Sequence, residues 1–103
     1  MINVTIGPTG VRMKGHAGYA PAGKDIVCSA VSTLACTLAT SLMNLSEDKI
    51  TYSFDPGDIR IDFENLSERG KLLVDSFFLG ICGVAEAYGD YVTIDKGEGK
   101  VIL

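Results

Sequence analysis

Ile2, Val4 and Ile6 alternate with Asn3 and Thr5, and after Gly7-Pro8-Thr9-Gly10 the alternation resumes with Val11, Met13 and Gly15 against Arg12, Lys14 and His16. Period-two patterning on both sides of a Gly-Pro turn predicts a β-hairpin. From Ile26 the period changes: Val27, Val31, Leu34, Leu38 and Leu42 recur at helical spacing, while Ser29, Thr33, Thr37 and Thr40 line another side. Asp25 stands just before this run as an N-cap, and the helix is expected to reach about Asn44.

The same order repeats. Ile50, Tyr52 and Phe54 alternate with Thr51 and Ser53, Asp55-Pro56-Gly57-Asp58 reads as a turn, and Ile59, Ile61 and Phe63 alternate with Arg60 and Asp62. Ser67-Glu68-Arg69-Gly70 opens a second helix whose core stripe is Leu73, Phe77, Ile81, Val84 and Tyr88, with Gly89 as its stop. A last strand holds Val92 and Ile94, and Gly97-Glu98-Gly99 turns toward a short final strand at Val101-Ile102-Leu103. Every strand is apolar on one face only, so the sheet should have one wet face and one face covered by helices. The expected fold is an α/β (α+β) two-layer sandwich, β-β-α-β-β-α-β, with a largely antiparallel sheet and both helices on one face. No linker or repeat divides the chain, and residues 1–103 read as one domain.

The chain has 103 residues and a net charge of −4. Its Lys and Arg are scattered, which gives no footprint for a phosphate backbone and argues against nucleic acid as a direct partner. Residues 26 to 46 carry no charge, but eight of the 21 are Ser, Thr or Asn, so a buried or partner-facing helix fits better than a membrane span. The opening Met1-Ile2-Asn3-Val4-Thr5-Ile6 lacks the pattern of a secretory signal, and a cytoplasmic location is expected. The three cysteines are read as reduced. Cys28 and Cys36 on one helix would stand roughly 12 Å apart at ~1.5 Å per residue, too far for a disulfide or a shared zinc. No metal or other cofactor is implied.

The chemistry concentrates around the only histidine. His16 ends the first hairpin, Cys28 lies in the opening turn of the first helix, and Ala17-Gly18-Tyr19-Ala20-Pro21-Ala22-Gly23 can fold back to bring them together. Unpaired amides and the helix dipole favour an ionised thiol at such a position. The amides of Cys28 and Ser29 are candidates to hold an oxyanion, with His16 as the proton acceptor and donor. Strict alternation would leave His16 on the face of Arg12 and Lys14, so something must break the register, and Gly15 can host a bulge or kink that turns His16 toward the helix start. Cys36 and Cys82 are read as small core residues.

A rival motif overlaps this loop. Gly18-Tyr19-Ala20-Pro21-Ala22-Gly23-Lys24 matches G-x-x-x-x-G-K, the spacing of a phosphate-binding loop, but Asp25 follows where a Ser or Thr is needed, and these strands read as hairpins rather than a parallel sheet.

Gly15-His16-Ala17, the loop, and Asp25-Ile26-Val27-Cys28-Ser29-Ala30-Val31-Ser32 resemble the signature of the ribosomal-processing cysteine proteases, the Prp or YsxB-like family. The resemblance implies a homodimeric cytoplasmic endopeptidase that removes a short N-terminal extension from the precursor of large-subunit ribosomal protein twenty-seven, cutting after an aromatic pair. It implies Cys28 as nucleophile and His16 as base. Asp25 and Ser32 match further positions of the motif, with Asp25 either orienting the site or only capping the helix. Ser29 stands where a small apolar residue is expected, and the loop is less polar than in many relatives. Gly18, Tyr19, Pro21 and Gly23 form a substrate loop expected to be mobile when empty and to act as a lid.

Two other classes of function share these features: a non-catalytic ribosome-assembly or peptide-binding module, and, more remotely, a nucleotide binder using the Gly18–Lys24 loop. The uncharged outer side of the first helix, with Ser29, Ala30, Thr33, Thr37 and Thr40, is expected to meet a second copy of the chain, helped by Phe77, Phe78, Leu79 and Ile81 of the second helix.

Overall fold

A computed structural model describes residues 1–21 and 23–96; the turn at residues 97–99 and the strand at 101–103 expected from sequence lie outside them. The elements are β1 (Ile2–Gly7), β2 (Gly10–Lys14), α1 (Ile26–Leu45), β3 (Ile50–Asp55), β4 (Asp58–Phe63), α2 (Glu68–Ala87) and β5 (Val92–Lys96). They form one five-stranded sheet in the order β3-β4-β2-β1-β5. The two hairpins β1–β2 and β3–β4 join through antiparallel pairing of β2 with β4, in which Val11 faces Ile61 and Met13 faces Ile59. β5 adds to β1 in parallel, Val4 opposite Ile94. The sheet is therefore mixed and mostly antiparallel, with its helices on one side, as the patterning predicts.

Alternation decides which face is covered. Ile2, Val4, Ile6, Val11, Met13, Ile61, Phe63 and Val92 are buried. Asn3, Thr5, Lys14, Arg60 and Asp62, on the other face, are exposed. Strand β3 departs from this. Tyr52 lies opposite buried Ile61, yet it is 54% exposed and Phe54 is 37% exposed. Five strands about 4.8 Å apart are wider than two helices about 10 Å apart can roof, so beyond Ile50, which packs against the core, the edge strand stays uncovered.

α1 is long and apolar enough to cross a membrane. Here it is a core helix, with Val27, Val31, Ala35, Leu38, Ala39 and Leu42 buried. Gly80 lets α2 approach it closely, since a Cβ there would stand 2.8 Å from Leu34 Cδ2. α2 starts at a Ser67 cap whose hydroxyl accepts from the Gly70 amide at 3.0 Å. It ends at Ala87, with the Tyr88 amide donating to Val84 O at 2.8 Å; Gly89 is not needed in a left-handed conformation to stop it.

Two readings of the helices need correction. Phe77, Phe78 and Ile81 are buried in the core, so of the four α2 residues expected at a partner surface only Leu79 is exposed. The reason is that α2 turns a broad face inward, adding Val74 and Phe78 to the stripe read from sequence. Cys36 is exposed rather than a core residue, because Ala35 and Ala39 take the inward positions beside it. Cys82 is half-buried and packs against the core.

Candidate active site

The segment carrying His16 leaves the sheet at Gly15. β2 ends at Lys14, and Gly15 adopts φ +105°, a conformation suited to glycine, which breaks the alternation as required. A Cβ at Gly15 would overlap the Met1 carbonyl oxygen, so the close approach of β1 also demands glycine. Two contacts hold this corner: Gly15 N donates to Gly57 O at 2.8 Å, and the Met1 ammonium donates to His16 O at 2.5 Å. The His16 side chain is exposed and rests against Gly57, in the turn between β3 and β4.

Asp25 organises the other side. Its Oδ1 accepts from Val27 N at 3.0 Å and Cys28 N at 2.9 Å, and its Oδ2 accepts from Tyr19 N at 3.1 Å and Ala20 N at 3.4 Å. It thus caps α1, one of the two roles left open by the sequence, and ties the loop to the helix start with the same carboxylate. The Cys28 amide, joined by those of Ala20 and Tyr19 and by the Cys28 thiol, holds the Asp25 carboxyl below its ordinary pKa against the opposing effect of burial.

The Cys28 and Ser29 amides do not form the expected oxyanion hole. Cys28 N is taken by Asp25 Oδ1, and Ser29 N donates to Asp25 O at 3.1 Å in the first turn of the helix. The amide that does face the thiol belongs to Ala17, whose N lies 3.4 Å from Cys28 Sγ. Sequence reasoning missed this donor because it depends on how the loop folds back.

The phosphate-loop reading fails on the same geometry. The Tyr19 and Ala20 amides, which would have to cradle a phosphate, already bind the Asp25 carboxylate. The loop is fastened a third time by Tyr19, whose ring packs edge-on against Tyr88 and Tyr91 with centroids 5.6 and 5.2 Å apart.

His16, Cys28 and Ser32 line one cleft of about 190 Å³, closed on the far side by Asp55, Pro56, Gly57, Asp58 and Ile59. The turn from Asp55 to Asp58 was legible only as a hairpin connection; its place opposite His16 follows from the β2–β4 pairing. Arg12 braces it, with Nη2 3.1 Å from Asp58 Oδ2. Ser29 is exposed and does not line the cleft, nor do the loop residues Gly18, Tyr19, Pro21 and Gly23 among those described. A larger open groove of about 700 Å³ lies elsewhere, with Thr9, Glu47, Lys49 and Asp62 on its walls, and holds neither a thiol nor an imidazole. Its Asp48 serves the start of α2, accepting from the Ser67 amide at 3.0 Å and the Ser67 hydroxyl at 2.7 Å.

An α+β sandwich with a helix-start cysteine and a histidine on one cleft defines the class to which comparison with known proteins adds a family. The chain belongs to the cysteine protease Prp family, whose model matches residues 1–93. Among solved structures it is similar to the ribosomal processing protease Prp from S. aureus in complex with a covalently linked product peptide, at 22% identity and a TM-score of 0.89, covering 94% of this chain and 100% of that one. The same protease in complex with a substrate peptide gives 21% identity and a TM-score of 0.82, covering 94% and 100%. SMU.848 from Streptococcus mutans is 34% identical, with a TM-score of 0.79 and 93% of each chain covered. No curated protein sequence matches the chain.

Proposed function

We propose that this protein is a cysteine endopeptidase in which Cys28 is the nucleophile and His16 its base, acting on the N-terminal extension of a large-subunit ribosomal protein precursor, that of protein twenty-seven. The observation that carries the reading is the shared cleft: thiol and imidazole line it together, and the Ala17 amide points at Sγ. The S. aureus relative, described as a ribosomal processing protease in complex with substrate and product peptides, supports a peptide as the occupant.

The chemistry follows from these groups. His16 takes the Cys28 proton as Sγ attacks the scissile carbonyl carbon, and the Ala17 amide is placed to donate to the thiolate or to the developing oxyanion. As the C–N bond breaks, the imidazolium returns its proton to the leaving amine. Water then cleaves the thioester, restoring the thiol and releasing a carboxylic acid. Ser32 lines the cleft as a hydrogen-bonding wall for the peptide. The reading includes a cytoplasmic, homodimeric enzyme.

Incubation with a peptide spanning such a precursor extension and ending in two aromatic residues, read by mass, tests it. One cut in wild type and none in Cys28→Ala supports the enzyme; binding without cleavage in wild type would favour the non-catalytic module.

A further inference from the structure

The β3–β4 turn does more than close a hairpin. Gly57 has φ +71°, and a Cβ built on it would stand 2.6 Å from His16 Nε2, 3.0 Å from Cε1 and 3.2 Å from Cδ2. The imidazole edge therefore lies directly on the bare Cα of Gly57, in space that any side chain would occupy. The same residue fixes the backbone beneath that ring, because Gly57 O accepts from Gly15 N at 2.8 Å, one position before His16. The turn itself is held to β2 by the Arg12–Asp58 ion pair and by the pairing of Lys14 with Asp58. Ring and peptide of one segment are thus both referred to a single glycine from the other half of the chain.

We propose that Gly57 is a positioning residue for His16, its missing side chain forming the seat that aims the imidazole into the cleft shared with Cys28. The inference rests on His16 being the base. Because the His16 side chain is exposed, it can swing aside to make room for a Cβ. The collision is then relieved by moving the ring rather than by unfolding the domain, and activity is lost while stability is largely kept. A misplacement of about 1 Å costs on the order of 10²-fold in rate.

Two substitutions separate this role from the turn's need for positive φ. Gly57→Asn keeps a residue that tolerates the left-handed region, and Gly57→Ala does not, but both carry the Cβ. The experiment measures thermal midpoint, kcat and KM on the precursor peptide, and the ring-proton resonances of His16, which are unique because it is the only histidine. The expected result is that Gly57→Asn folds, loses roughly 10²-fold in kcat with KM little changed, and shifts the His16 resonances. In a His16→Ala background it should add no further loss, since the two act as a unit. Wild-type kcat with unmoved His16 resonances in Gly57→Asn would overturn the proposal, as would a loss that adds in full to that of His16→Ala. If Gly57→Ala fails to fold, Gly57→Asn alone decides. Full activity in His16→Ala would sink the base assignment itself, a result distinct from an inactive His16→Ala beside an active Gly57→Asn.

Discussion

Asp25 and Cys28 are bound through the backbone, Oδ1 to the Cys28 amide at 2.9 Å, so the residue that starts the helix also places the thiol. Asp25→Ala should lower both the thermal midpoint and the cleavage rate, whereas Asp25→Asn retains a cap. The hydrogen bonds depress the folded-state pKa of Asp25. Its stabilisation is therefore complete above the unfolded value of about 4 and is lost as pH falls through the lower folded value. Denaturation curves of wild type and Asp25→Asn should differ by a constant amount above about pH 5 and begin to draw together below about pH 4, the change completing only below the depressed folded value.

The three cysteines should separate cleanly. Cys28→Ala is expected to abolish cleavage with the fold intact, and the exposed Cys36 should be replaceable by Ala without loss of rate. Cys82→Ala should also stay active, with a small fall in stability from its contact with the core. His16→Ala should reduce the rate by roughly 10²- to 10⁴-fold, the usual worth of a positioned base. Steady-state cleavage of the precursor peptide reads all four.

The loop should show two behaviours in hydrogen exchange. The Tyr19 and Ala20 amides, bonded to Asp25, should be protected before any peptide is present and lose protection in Asp25→Ala. Peptide added to the Cys28→Ala protein should slow exchange at Gly18 and Gly23. Unchanged exchange at both glycines with peptide demonstrably bound would remove the lid.

Leu42 of α1 is fully buried in the hydrophobic core. Leu42→Ala should cost about 2–5 kcal/mol through lost burial and the cavity left behind. Urea denaturation measures it, and activity at low temperature should persist.

The outer side of α1 tests the homodimer. Ser29, Thr33, Thr37 and Thr40 are exposed there. Light scattering should find a wild-type dimer, and Thr33→Lys with Thr37→Lys should give monomers because like charges would meet across the axis. A monomeric wild type at micromolar concentration would leave the uncharged helix face to another partner.

What the sequence determined by itself are the properties set by near neighbours along the chain. The period-two runs at Ile2–Ile6 and Ile59–Phe63, the helical stripe from Val27 to Leu42, the Asp25 and Ser67 caps and the break at Gly15 all depend on residues within a few positions of one another. That locality also made His16 and Cys28 legible, since one loop joins them. Tertiary structure decided everything that rests on pairing of distant segments. β2 meets β4 only in the folded sheet, and that pairing brings Gly57 under the His16 ring. The fold of the loop likewise turns the Ala17 amide toward the thiol, whereas the Cys28 amide is taken locally by the Asp25 cap three residues before it. Helix periodicity marks an apolar stripe without its width, so the burial of Phe78 and the exposure of Cys36 were settled by how α1 and α2 pack. Two helices are narrower than five strands, which is why Tyr52 and Phe54 alternate as a buried strand would and still face solvent.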